Sequence, residues 1–120
     1  MSATMNATKF VIAIFATLIV ASAYRYDKSK VDRYIQEAEY YTKQAEAYDR
    51  DAAYYTRQAQ KYMKDAEYYS KRGNDSKAKT FMRWAKEASD KAALRTKRAK
   101  DARDKAQLRM KWAEDEMKRK

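Results

Sequence analysis

Residues 38–72 read AEYYTKQ AEAYDRD AAYYTRQ AQKYMKD AEYYSKR, five consecutive blocks of seven. Ala38, Ala45, Ala52, Ala59 and Ala66 open the blocks, and Tyr41, Tyr48, Tyr55, Tyr62 and Tyr69 stand three residues behind them. Val31 and Tyr34 carry both series one block earlier. Alternating steps of three and four place one side chain per turn on a single stripe of a helix, the a/d pattern of a coiled coil. A fourteen-residue period lies over the seven. AEYYTKQ, AAYYTRQ and AEYYSKR alternate with AEAYDRD and AQKYMKD, as duplication of a two-block unit would leave them.

The second half repeats the spacing with other chemistry. Ala78, Ala85, Ala92, Ala99, Ala106 and Ala113 are again seven apart, followed at three residues by Phe81, Ala88, Arg95, Ala102, Arg109 and Glu116. Alanine is the dependable seam here, and the second series is mixed. Arg95 and Arg109 fall where they can stack on tyrosine rings of the first helix. Trp84 and Trp112, 28 residues apart, share one flank and are read as packing over the tyrosine helix or against a second copy.

Between the halves lies Arg72-Gly73-Asn74-Asp75-Ser76. Gly73 is placed to end the first helix in a left-handed conformation, and Asn74, Asp75 or Ser76 to cap the second. Ser29, with Asp32 three residues on, resembles a start signal for the first helix. The predicted organisation is a leader over 24–30, a helix over 31–72, a turn at 73–76 and a helix over 77–120. Each helix is then about 63 Å long. The fold class is all-α: an antiparallel two-helix coiled-coil hairpin that self-associates into a bundle. One helix kinked at Gly73 is the alternative.

A methyl side chain lets two backbones approach closely and loses no rotamer entropy. Its hydrophobic return is small, about 0.8 kcal/mol per methyl-sized group, so the tyrosines must supply most of the buried area. The pattern resembles the alanine-rich coiled coils called Alacoils or alanine zippers, a packing class without a single activity. Bacterial alanine-zipper lipoproteins also combine an export signal, heptads and a basic C-terminus. Their lipid-bearing Cys has no counterpart in this Cys-free chain, and the chain is not assigned to them.

The 120 residues contain no His, no Cys, no Pro and a single Gly. Disulfides, thiol nucleophiles, zinc sites and His-based triads are thereby excluded, as is a glycine-rich phosphate loop. The carboxylates are interleaved with bases on helix surfaces. No catalytic or metal-binding residues and no cofactor are expected, and the chain is read as a non-enzyme.

Residues 10–20, FVIAIFATLIV, follow a leader charged only at Lys9 and precede Ala21-Ser22-Ala23. This is the layout of a secretory signal cleaved after Ala23, which makes the protein secreted or periplasmic. The alternative is a single-pass anchor through residues 10–24, shorter than a usual span but followed by Arg25, Lys28, Lys30 and Arg33.

The net charge of +11 is uneven. Residues 31–72 hold eight Lys/Arg and eight Asp/Glu, whereas residues 77–120 hold sixteen against seven. The basic second helix is expected to face an anionic partner: an acidic protein, a polysaccharide, a membrane surface or, less favoured in an exported chain, nucleic acid. Candidate anion-binding residues are Arg83, Lys91, Lys97, Arg98, Lys100, Arg103, Lys105 and Lys111. Tyr40, Tyr54 and Tyr68 form another series fourteen apart, read as a wider aromatic seam in a larger bundle or as phenols open to cross-linking. Asn74-Asp75-Ser76 is a candidate glycosylation sequence. The leading expectation is an exported structural or interaction protein that forms homo-oligomers; a polyanion-binding module and a membrane-anchored spacer are the alternatives.

Overall fold

The computed structural model describes residues 26–119; the apolar segment and its cleavage triplet lie outside that range. The chain is all-α: two long antiparallel helices form a hairpin, α1 over Lys28–Lys71 and α2 over Asp75–Met117. Among the described residues no helix is long and apolar enough to cross a membrane.

Both helices start at an acid or amide cap. α1 begins three residues ahead of the expected Val31. The reason is Asp27, whose Oδ1 accepts the Lys30 backbone N–H at 3.1 Å while its carbonyl accepts from Val31. Ser29 and Asp32 therefore lie within the helix and not at its cap. α2 begins at Asp75, two residues ahead of Lys77, because Asn74 is the cap: its Oδ1 accepts the Lys77 N–H at 3.1 Å, and its carbonyl accepts from Ala78. Asn74 also closes α1. Its N–H donates to the Tyr69 carbonyl at 2.9 Å, and the Gly73 N–H donates to Ser70 at 3.1 Å. That pair of bonds is a Schellman closure, and it requires the positive φ of 76° found at Gly73.

Contacts divide the chain into two units, residues 47–99 and the paired ends on either side of them. In the unit of paired ends, Val31 and Ala113 are fully buried, with Tyr26, Tyr34, Ile35 and Met117 packed around them. Ala38, Ala106 and Met110 form a second cluster against Ile35 and Tyr41. Ala45 is buried as well. Two polar residues are buried here, each with partners. The Thr42 hydroxyl donates to the Ala38 carbonyl at 2.8 Å, and the Glu116 carboxylate meets Lys30 at 3.6 Å and Arg119 at 3.5 Å.

In the unit that contains the turn, Ala52, Ala59, Ala66, Ala78, Ala85, Ala92 and Ala99 are buried, joined by Ala88. The tyrosines at the second seam position, here Tyr48, Tyr55, Tyr62 and Tyr69, are half-buried. The division follows from size. Methyl groups fill the narrow gap between the backbones, and the phenol rings lean along its edge with one side wet.

Candidate interaction surfaces

The large polar and aromatic side chains at the edge of the seam form a repeating constellation. In the paired-ends unit, the Arg109 guanidinium lies 5.3 Å from the Tyr41 ring and 4.3 Å from the Trp112 ring, and Lys105 lies 5.6 Å from Tyr41. The Arg109 Nε–H donates to Glu37 Oε2 at 2.6 Å. Fourteen residues away, inside the turn unit, Arg95 and Lys91 each lie 5.6 Å from the Tyr55 ring, and Arg95 approaches Asp51 at 3.9 Å. One step nearer the turn, Lys77 lies 5.0 Å from Tyr69. There Phe81 replaces the arginine and stacks on Tyr69 at 5.5 Å with ring planes 4° apart. The fourteen-residue period is thus visible in contacts. A tyrosine of α1 receives a lysine and, four residues on, an arginine or phenylalanine of α2.

The tryptophans sit at the margin of this edge. Trp84 meets Tyr62 at 5.7 Å and Phe81 at 5.2 Å, both edge-on, and Trp112 meets Tyr34 edge-on at 5.7 Å. Both retain exposed surface, Trp84 at 40%. An open groove of about 400 Å³ in the turn unit is lined by Tyr54, Tyr55, Gln58, Tyr62, Trp84, Glu87, Ala88 and Lys91. A smaller one of about 240 Å³ in the paired-ends unit is lined by Tyr34, Trp112, Asp115, Glu116 and Arg119. Tyr40, Tyr54 and Tyr68 are 57%, 50% and 50% exposed, and each meets its neighbouring tyrosine edge-on.

The candidate anion-binding residues fall into distinct environments. Lys91 and Lys105 lie over tyrosine rings, and Lys100 pairs with Asp104 at 3.0 Å. Arg103 is half-buried. Arg83, Lys97, Arg98 and Lys111 are exposed, while nearby Asp90 and Asp104 are occupied by Lys86 and Lys100. Of the acid-before-base pairs along the helices, Glu67/Lys71 closes at 3.0 Å and Glu114/Lys118 at 2.8 Å. Hydrogen bonding to Glu114, followed by its charge, raises the Lys118 pKa above 10.5. Burial raises the Tyr26 phenol above 10.0, with Asp32 adding to it. Asn74 has a structural task in the turn, as both the closing and the opening residue.

α1 holds nine Lys/Arg against eight Asp/Glu, yet three of its bases form a regular row. Arg50, Arg57 and Lys64 are exposed and seven apart, five residues after Ala45, Ala52 and Ala59. The arithmetic that exposes the alanines exposes this row too, once it is applied to charge. Comparison with protein-family models, curated proteins and solved structures found no match to this chain. Among the described residues, no group of three or more His, Cys, Asp or Glu is placed to hold a metal ion.

Proposed function

We propose that the chain is an exported, non-enzymatic structural or interaction protein, whose working part is an alanine/tyrosine coiled-coil hairpin that binds copies of itself. The observation that carries this reading is the aromatic groove of the turn unit. Tyr54 and Trp84 line it and are half and two-fifths exposed. Aromatic surface of that kind is characteristic of interfaces. Glu87 and Lys91, four apart on the same wall, suit a two-fold contact in which each meets the other's copy. Export rests on the apolar segment and the Ala21-Ser22-Ala23 triplet. Multi-angle light scattering of the processed protein is expected to give a dimer or larger assembly, and Trp84→Ser to shift it toward monomer. A folded monomer at all accessible concentrations refutes self-association. Intact mass of the native protein tests export: a chain beginning at Tyr24 agrees with cleavage, and a full-length chain in the membrane fraction favours the anchored spacer.

A second reading, polyanion binding, is favoured by charge. Arg83 and Lys97 stand exposed on α2, and Asp90 between them is engaged by Lys86. Binding that weakens steeply with salt is its signature.

A further inference from the structure

We propose that the outward side of α1, although that helix carries nearly as many acids as bases, is a binding track for a linear acidic polysaccharide. The proposal deepens the polyanion reading, on which it rests for the class of ligand, and moves the contact to the other helix.

The placement follows from helix geometry. Arg50, Arg57 and Lys64 stand five residues after a buried alanine and two after a seam-edge tyrosine. At about 100° per residue those offsets put all three on the side turned away from α2, about 10.5 Å apart along the axis. Lys61, also exposed, lies beside the row as a four-residue neighbour of Arg57. In the same unit, Asp51 faces Arg95 and Glu67 holds Lys71. Among the described residues no ion pair engages Arg50, Arg57 or Lys64.

Tyrosines border the line. Tyr54 lies four residues after Arg50 and three before Arg57, and Tyr68 lies four after Lys64, spacings that make helix-surface neighbours. Both rings are half exposed, and the Arg72 guanidinium sits 4.3 Å over Tyr68. A chain of acidic sugars presents anionic groups at intervals and apolar ring faces between them. Cations in file with phenol rings beside them match both.

Other polyanions fit less well. A membrane-binding amphipathic helix inserts an apolar face, and the apolar side of α1 is covered by α2. Single-stranded nucleic acid relies on aromatics that stack successive bases, and tyrosines fourteen residues apart are about 21 Å from one another.

The test uses the processed full-length protein and immobilised heparin as the acidic polysaccharide. The triple variant Arg50→Gln/Arg57→Gln/Lys64→Gln is compared with Arg83→Gln/Lys97→Gln/Lys111→Gln, which removes the same charge from α2. Helical circular dichroism confirms that both fold. The α1 triple is expected to raise Kd about tenfold or more near 0.1 M salt and to lower the slope of log K against log salt by about two. Tyr68→Ser is expected to weaken binding while leaving the slope unchanged. An α2 triple that weakens binding as much as the α1 triple, or more, overturns the track and leaves the polyanion reading standing. Failure of the unaltered protein to bind heparin overturns both. Equal or tighter binding to phosphatidylserine vesicles or to a single-stranded polynucleotide, lost with the same α1 triple, overturns the assignment to polysaccharide.

Discussion

The Nε–H of Arg109 donates to Oε2 of Glu37 at 2.6 Å, joining residues 72 apart in sequence beside the Tyr41 and Trp112 rings. The arginine side chain is only 19% exposed, whereas the glutamate is 39% exposed. A charge-assisted bond is about twice as strong as a neutral one, and the wet side of Glu37 reduces its net value. Glu37→Gln is expected to cost about 1 kcal/mol in urea unfolding. Arg109→Leu exchanges the ionic contact for apolar packing and should lie within about 1 kcal/mol of the native protein. A loss of about 3 kcal/mol or more in Arg109→Leu would mean that the ion pair itself holds the helices together.

The close approach of the backbones makes a strong demand on the alanines. Ala99 has no exposed surface, while Ala93 on the same helix is exposed. Ala99→Leu must force the helices apart or drive the side chain off its rotamer, at about 1–3 kcal/mol. Ala93→Leu should stay within about 0.5 kcal/mol. Thermal melts of the two variants check this, and equal melting temperatures would contradict the narrow seam.

At the turn, Gly73→Ala meets no steric neighbour, since an added Cβ has open space around it. The whole cost is conformational, about 1 kcal/mol for placing a Cβ at a φ of 76°. Gly73→Asn should recover part of that loss, because asparagine tolerates the left-handed region. Asn74→Ala removes the cap of α2 and should cost about 1 kcal/mol. A null effect of Gly73→Ala in chemical denaturation would show that the closure relaxes without penalty.

Alkali should loosen the start of α1. Tyr26 packs against the Val31–Ala113 cluster, and burial followed by the nearby Asp32 charge raises its pKa above 10.0. The folded chain favours the neutral phenol, so the contribution is intact below pH 10.0 and declines as the pH rises past the folded pKa. Lys118 follows the same direction, its hydrogen bond to Glu114 holding the proton above 10.5. Stability in urea unfolding is expected to fall above pH 10, and Tyr26→Phe to make that fall smaller. An unchanged alkaline profile in the variant would assign the loosening to another group.

The two helices, their opposed directions and the turn at Gly73 were legible because seven-residue spacing and one glycine in a proline-free chain leave few other arrangements. Arg95 and Arg109 could be placed at the seam from spacing alone. Their partners Asp51 and Glu37 could not, because pairing across helices depends on an axial offset that spacing within one helix does not contain. The same limit hid Glu116, a buried carboxylate whose partner Lys30 lies at the other end of the sequence. Asp27 and not Ser29 caps α1, because capping is decided by which side chain meets the first free N–H groups. The row of Arg50, Arg57 and Lys64 was obscured by counting charge per helix, which averages over the sides that a ligand would distinguish.

The two tryptophans stand in different surroundings. Trp84 touches tyrosine and phenylalanine rings, whereas Trp112 carries a guanidinium at 4.3 Å. One lies in each unit, so the chain has a native optical probe for each. Single-tryptophan versions would report separately on the melting of the turn region and of the paired ends, and would show whether the hairpin opens in one event or unzips in stages.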